Sequence, residues 1–409
     1  MALITVDNLK PGMVLADGLS SPKGQLLAAK GTVLEEQHLR VCRTYGVRVA
    51  DIVGDDGGDD GGENGAIDPE ILTASEELAR SRFLLADHHQ AVTAKLSETF
   101  ADLIAREAAR GKVPVPVVPD ASTVPAPGPQ RKLTASDLQA ADEKLASLPD
   151  IFFQLQEVLS QPRSSAHYVG EVISKDPSLT AKLLKLANSA FYGYPKRIES
   201  ISRAVTIVGV EQITALAMGV SLVQYFKDLP ESLNMKSFWK HSLGCGIIAR
   251  LLAGQCKRNL DQEHFFVAGV LHDLGRLFIL KNYPQHAQAA LHGSLQEQEL
   301  LVVAENRIWG FNHAFLAGDL FQRWNFPPHL EMAVRYHHQP LKATSPLEPG
   351  LIHLADILAH SFNLGSSGAW YINPLEEEIW QMLELPDNIV PVLASLTDRQ
   401  FSEAFRVFF

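Results

Sequence analysis

The hydrophobic and polar positions of the chain follow two different patterns. In the N-terminal part, short apolar runs are separated by Pro-Gly and Lys-Gly turn signals, which is typical of strands. The apolar runs cover residues 3–6, 13–16, 25–28 and 47–50. Residues 35–45 have the spacing of one short helix, which Gly46 ends. We therefore expect a small, mostly β module over residues 1–53.

From residue 133 onwards, apolar residues recur three and four positions apart, as in a chain of amphipathic helices. Ile213, Leu216 and Val220 form one such stripe, and alternating β-branched runs are few. The pattern has no fixed-period repeat, so it does not predict a solenoid. The expected fold is mainly α, with an all-α helical domain over residues 132–409 and the β module in front of it.

Segments of different composition connect these two parts. Residues 54–66 are almost entirely Gly, Asp and Glu, which predicts a flexible acidic linker. A calcium loop is the alternative, but the ligand spacing of an EF-hand is not met. Residues 67–112 predict one long helix or a helical hairpin. Six prolines within 113–131 favour extended backbone, and we place the main domain boundary there.

Composition narrows the class of protein. The 409 residues are 46% hydrophobic and 20% charged, which excludes wholesale disorder, and the net charge of -11 argues against general binding to nucleic acid. Cys42, Cys245 and Cys256 lie far apart, so neither a disulfide framework nor a thiolate zinc site is expected. The N-terminus does not resemble a signal peptide, and no long apolar run predicts membrane insertion. We expect a cytoplasmic protein.

Histidines are concentrated between His264 and His360, which hold ten of the fifteen in the chain. Within this window, the pair His272-Asp273 interrupts an otherwise apolar helical segment. A buried carboxylate needs a cation, strong hydrogen-bond donors or a metal. Arg276, three residues further on, could serve as an ordinary ion-pair partner, so the pair alone does not establish a metal site.

Further histidines and one aspartate accompany this pair on successive predicted helices. Each alone is more typical of a hydrogen-bonded core residue or a polar helix cap. Together, neutral imidazoles and two carboxylates are a donor set that suits one or two first-row divalent ions in a helical bundle. The full set comprises His241, His272, Asp273, His313, His337, His338 and Asp356.

Several longer stretches support a family assignment. Those in the first half are Leu148-Pro149, Asp176 to Thr180, Leu183 to Ser189 and Ile198 to Gly209. Those in the second half are Ala268 to Arg276, Asn312 to Ala314, Trp324 to Pro327 and His337-His338. Through them, residues 133–365 resemble the HDOD module, a divergent relative of the HD and HD-GYP phosphohydrolases of bacterial signalling. Leu9 to Met13 and Gly24 to Leu27 resemble the small β module that precedes some HD-GYP domains.

What the resemblance implies for activity is mixed. The HD-like part covers about 235–365, and the seven residues above occupy its metal-ligand positions, with iron, manganese or zinc as candidate ions. Gln339-Pro340-Leu341 replaces the acidic residue and Gly-Tyr-Pro loop of HD-GYP enzymes, and Arg276 replaces their usual lysine. HDOD modules are generally regarded as regulatory, so we expect a signalling protein that binds protein partners, with a nucleotide ligand left open.

Two alternatives follow from the same resemblance. The first is a metal-dependent phosphohydrolase acting on a nucleotide or cyclic dinucleotide, with His272, Asp273 and Arg276 as the candidate catalytic residues. The second concerns Asp176, Asn188 and Ser189, which could shape a ligand or partner surface. Helix capping is the more ordinary role for those three residue types, with Asp176-Pro177 at the start of a helix.

Overall fold

The chain divides after Ala66 into two units, Met1–Ala66 and Ile67–Phe409, in the computed structural model. The structure describes residues 2–6, 9–10, 12–15, 19–20, 26–28, 32–44, 47, 49–53, 67–111, 115–119, 128, 130–134, 136–138, 141, 150–160, 165–188, 197–226, 234–258, 260–386 and 388–408. The predicted acidic linker, residues 54–66, lies outside them.

The first unit is a small β module with one helix. Its elements are β1 Ala2–Thr5, β2 Val14–Leu15, β3 Leu19–Ser20, β4 Leu26–Ala28, α1 Glu36–Thr44 and β5 Val49–Val53. Strand β5 lies between β1 and β2 and is antiparallel to both, with Ala2 opposite Ile52. Leu15, Leu34 and Cys42 are fully buried in the core. The described part of this unit contains five short strands and one helix, and the sequence pattern did not predict β3.

The second unit is helical throughout its described part, which confirms the mainly α fold class. Its helices are α2 Pro69–Arg82, α3 Ala91–Ala109, α4 Asp150–Ser160, α5 Ala166–Ser174, α6 Pro177–Ala187, α7 Ile201–Val208, α8 Val210–Tyr225, α9 Met235–Gln255, α10 Gln262–Leu271, α11 Leu274–Asn282, α12 Pro284–Gln296, α13 Leu301–Trp309, α14 His313–Arg323, α15 Pro328–Arg335, α16 Leu347–Ser361, α17 Glu377–Leu383 and α18 Ile389–Phe408. Among the described helices, none is both long and apolar enough to cross a bilayer.

Helix α9 is the centre of this unit. It packs against α10, α16 and α18, and α10 in turn contacts α8, α15 and α16. Phe238, Leu243 and Ile247 are buried on different sides of α9, as expected for a helix that is apolar all round. The one-sided amphipathic stripes of the outer helices cover it, and polar side chains on α9 are thereby placed in the middle of the bundle.

At two places the backbones of neighbouring helices approach each other closely. These contacts position the polar residues at the centre of the bundle. A Cβ at Gly269 of α10 would lie 2.6 Å from Gly246 Cα of α9, so only glycines permit this crossing. A Cβ at Gly275 of α11 would lie 2.1 Å from the carbonyl oxygen of His313, the first residue of α14. The glycines therefore allow the ends of α10 and α11 to meet α9 and α14 closely.

The predicted helical segment 67–112 is a hairpin of α2 and α3, and it belongs to the bundle. The two helices share the large hydrophobic core, with Phe83 and Phe100 in edge contact. The backbone N–H of Ile372 donates to the carbonyl of Arg82 over 2.8 Å, and α3 packs against α16. The main boundary expected in the Pro-rich segment is therefore corrected, because it lies between Ala66 and Ile67.

Candidate metal centre

The structure brings the seven candidate donors of the sequence to one place in the bundle. His241 lies on α9, His272 and Asp273 lie between α10 and α11, and the other four come from α14, the end of α15 and α16. Six of them are almost fully buried, with at most 3% of their surface exposed, and His338 is partly buried. Their ligand atoms form overlapping groups within 4.8 Å of one another.

Asp273 lies between two sets of imidazoles. Its Oδ1 is 3.0 Å from His313 Nε2, and its Oδ2 is 3.3 Å from His272 Nε2 and 3.8 Å from His241 Nε2. Each oxygen thus faces a different set of nitrogens. This is the arrangement in which one carboxylate can bridge two ions.

Asp356 closes the other side of the centre. Its Oδ1 lies 3.0 Å from His241 Nε2 and 3.6 Å from His272 Nε2, while its Oδ2 accepts a hydrogen bond from Asn373 Nδ2 over 3.3 Å. His360, one helical turn further along α16, places its Nε2 3.5 Å from the same Oδ1. Asp356 therefore contributes one oxygen to the centre and uses the other for orientation.

One ring nitrogen of His272 and one of His337 lack a hydrogen-bond partner among the described residues. His272 Nδ1 donates to the Gly269 carbonyl over 2.7 Å, and His337 Nδ1 donates to the Val334 carbonyl over 2.6 Å. In the neutral ring this leaves a lone pair on each Nε2, and within the part of the chain that the structure describes both Nε2 atoms are buried without a hydrogen-bond partner. A metal ion would satisfy both, so the donor set fits a divalent cation.

Glu305 on α13 orients a third histidine. Its Oε2 accepts hydrogen bonds from the backbone N–H of His313 over 2.9 Å and from His313 Nδ1 over 2.5 Å. Histidine ligands of metals commonly donate their second ring N–H to a carboxylate in this way. The contact aims His313 Nε2 at Asp273, and His338 Nε2 lies 2.9 Å from the same His313 nitrogen.

Opposite charges hold the centre ionised. Burial opposes ionisation of Asp273, but Arg276, followed by His272 and His313, holds the pKa of this carboxyl well below its usual range. Burial also opposes protonation of His272, yet Asp273 in particular raises the pKa of its imidazole well above the usual value. Burial and the neighbouring charged imidazoles lower the pKa of His337 to about 3. In the metal-free centre the ionised Asp273 therefore lies next to a protonated His272 and a neutral His337, and a metal would displace the proton of His272 on binding.

Arg276 lies next to Asp273, as its position three residues further along the chain suggested. Its Nε lies 3.3 Å from Asp273 Oδ1, so the ordinary ion pair exists alongside the imidazole contacts. Its Nη1 donates to both the carbonyl and the Oγ of Ser367, over 3.1 and 2.8 Å. The guanidinium is thereby fixed at the edge of the centre.

Other polar residues have different surroundings. His353 Nδ1 donates to the His337 carbonyl over 2.9 Å, which supports the backbone of a candidate ligand. His264 and His329 lie apart from the centre as a half-buried pair, with ring centroids 4.0 Å apart and Glu211 beside them. The dense histidine window thus contains more than one cluster.

Asp176 and Asn188 cap the two ends of α6. Asp176 accepts hydrogen bonds from the backbone N–H groups of Ser178 and Leu179, over 2.9 and 3.0 Å. Asn188 Nδ2 donates to the Ile198 carbonyl over 2.7 Å, and its Oδ1 accepts from the Ile198 N–H over 2.7 Å. A ligand surface at these residues stays a prediction, and Ser189 lies outside the described residues.

Sequence reasoning did not include Glu305, His360 or Arg82 in the centre. Arg82 on α2 donates through Nη2 to His360 Nδ1 over 3.0 Å. The spacing Asp356 to His360, four residues on one helix, was an available signal for His360. No such spacing in the sequence pointed to Glu305 or Arg82, because the residues that they contact lie further away along the chain or in another motif.

Comparisons with known proteins agree with this architecture. A model of the HDOD domain family matches residues 145–340. An uncharacterized protein of Treponema pallidum is 27% identical over 221 residues, which cover 53% of this chain and 42% of that relative. The alignment therefore spans less than half the length of that curated relative.

Two solved structures share the fold. One, from Shewanella amazonensis and provisionally described as a phosphohydrolase, has a TM-score of 0.52 at 24% identity and covers 68% of this chain and 99% of its own. The other, an HDOD domain protein of unknown function from Geobacter sulfurreducens, has a TM-score of 0.51 at 23% identity and covers 67% and 97%. The family match assigns residues 145–340 to an HDOD domain, and the two solved structures agree with it in fold.

Proposed function

We propose that the protein acts in bacterial signal transduction, and that its HDOD domain is a regulatory module that binds a divalent transition metal. The observation that carries the metal assignment is the pair of buried Nε2 atoms of His272 and His337, which lie close to the ionised carboxylate of Asp273 and have no hydrogen-bond partner among the described residues. Burying such atoms unsatisfied is costly, and coordination removes the cost.

The residues suit two adjoining positions. His241, His272, Asp273 and Asp356 would hold an inner ion, and His313, His337 and His338 would hold a second with Asp273. Imidazole with carboxylate favours iron, manganese or zinc. When bound, such an ion supplies Lewis acidity and a lowered pKa for coordinated water. The protein itself fixes the tautomers of the rings and, through burial, limits the access of solvent.

Burial of the centre supports regulation over turnover. The side chains of His241, His272, His313 and His337 are fully buried, and Asp273 is 2% exposed. A phosphoester would have to displace part of the surrounding bundle to reach them. After the paired histidines, the chain forms a short 3-10 turn at Pro340–Lys342 in place of the Gly-Tyr-Pro loop. We expect the module to work through protein partners of a signalling pathway.

The second candidate is a metal-dependent phosphohydrolase acting on a nucleotide or cyclic dinucleotide. The position of Asp273 between two sets of imidazoles favours it, because two-metal hydrolases use a bridging group of this kind. In this function His272, Asp273 and Arg276 would form the catalytic centre.

Hydrolysis of nucleotides and cyclic dinucleotides distinguishes the two functions. We expect the metal-loaded protein to hydrolyse them no faster than the His272→Ala, Asp273→Ala double variant, since substrate cannot reach a closed centre. The measurement is chromatography of the nucleotide products, together with a phosphate assay for nucleotide substrates, on both proteins after loading with iron, manganese or zinc. Metal-dependent hydrolysis that disappears in the double variant would overturn the regulatory proposal in favour of the phosphohydrolase.

A further inference from the structure

A cavity of about 390 Å³ lies between the α2–α3 hairpin, the start of α9 and the segment that follows α16. Its size falls within the range of small-molecule sites, roughly 300–1,000 Å³. It does not include the candidate metal ligands among its lining residues. The cavity is therefore separate from the centre described above.

The lining of this cavity is cationic. Arg82, Lys236 and Lys240 contribute positive charge, and the described residues that line it include no carboxylate. The cavity also meets the first turn of α9, where Asn234 is the N-cap residue. Free backbone N–H groups and the helix dipole favour an anion at that end of a helix.

Arg82 gives the strongest indication of a ligand. The residue is 8% exposed, and its guanidinium lies between the rings of Phe100 and Trp370, at 5.9 and 5.2 Å from their centroids. Its Nη atoms donate to His360 and to the Ala369 carbonyl, but its buried Nε has no hydrogen-bond partner in the described ranges of the chain. Burial lowers the pKa of Arg82 to about 10, so the group stays charged at neutral pH.

The rest of the lining is partly apolar and partly polar. The apolar surface comes from Leu78, Phe100, Ile104 and Trp370, and the uncharged polar side chains are those of Asn234, Ser237, Asn363 and Ser366. Aromatic rings next to cationic groups provide a surface for a planar, apolar body attached to an anion. An inorganic ion alone would leave this part of the cavity unused.

We propose that this cavity binds a small organic phosphate that carries a planar ring system, of the class of nucleoside monophosphates. Lys236, Lys240 and Arg82 would contact the phosphate, and Trp370 would contact the ring. The proposal does not depend on the metal function. Arg82 connects the two sites, because it donates to His360, whose Nε2 is 3.5 Å from Asp356.

The test is calorimetric titration of the full chain with GMP, with guanosine and inorganic phosphate as separate probes. We expect GMP to bind more tightly than either probe and less tightly at high salt, because the recognition combines charge and stacking. Lys236→Glu should weaken GMP binding about tenfold, which is the effect of losing one charged contact. Lys236 is exposed, so this change does not threaten folding.

Two further variants control the experiment. Lys257→Glu makes the same change of net charge at an exposed residue outside the cavity that pairs with Glu384, and it should leave GMP affinity unchanged. Asp273→Asn should also retain GMP binding, which separates this site from the metal centre. Absence of GMP binding, equal affinities of Lys236→Glu and Lys257→Glu, or loss of GMP binding in Asp273→Asn would overturn the proposal.

Discussion

Asp273→Asn is expected to abolish stoichiometric metal binding while the protein remains folded. The amide has nearly the shape of the carboxylate but lacks the charge that faces His272 on one side and His313 on the other. We expect the affinity for zinc or manganese to fall by more than the roughly 10–100-fold typical of residues that only orient ligands. Metal titration of the two proteins, with circular dichroism to check folding, measures this effect.

Two further variants provide reference values for the loss of metal affinity in Asp273→Asn. Glu305→Gln keeps a hydrogen-bond acceptor at His313 Nδ1 but removes its charge, so it should weaken metal binding by about 10–100-fold. Asp102→Asn removes an exposed carboxylate that pairs with Arg106 on the same helix, and it should leave the affinity unchanged. Wild-type affinity in Asp273→Asn would show that this carboxylate is not a ligand.

Arg276→Ala is expected to lower the free energy of unfolding of the metal-free protein by about 3–5 kcal/mol, because it leaves buried charge without its partner. The guanidinium lies 3.3 Å from Asp273 and 3.9 Å from Glu305, and it also donates twice to Ser367. Urea denaturation in the presence of a chelator measures the change without a contribution from bound metal.

Arg276→Lys separates charge from geometry in the same experiment. It retains the cation next to Asp273 but cannot reproduce the two hydrogen bonds to Ser367, so its loss of stability should be intermediate. Arg106→Ala removes an exposed arginine of an i,i+4 pair and should cost about 1 kcal/mol or less. If Arg276→Ala costs no more than Arg106→Ala, the guanidinium does not stabilise the buried carboxylates.

The sequence predicted the helical domain well because its apolar spacing is local information. The His272-Asp273 pair could also be identified from local sequence, because two polar residues within an apolar segment are buried only with a polar or charged partner. The residue types of the donors and their order along the chain allowed us to infer that they share one site. The distances between the donor atoms could not be inferred, because these depend on how closely α9, α10 and α14 approach one another.

The parts that were missed depend on contacts between distant segments. The α2–α3 hairpin looked like a separate unit because a Pro-rich stretch follows it, and nothing local showed that Trp370 and Ile372 bind to it. Arg82 likewise gains its place next to His360 only through tertiary packing. Glu305 lies in a stretch of polar residues that is typical of a protein surface. Nevertheless, it lies beneath His313 and only 1% of its surface is exposed. Such residues are identified by burial in the folded chain, which their own neighbours in sequence do not reveal.

Elemental analysis of the wild-type protein, purified without oxygen, tests the metal centre most directly. We predict one or two equivalents of iron, manganese or zinc per chain, held by the donor groups around Asp273, and none in the His272→Ala, Asp273→Ala variant. Protein that contains no stoichiometric metal, and takes up none when iron, manganese or zinc is added at neutral pH, would contradict the account and leave these histidines as polar residues of the core.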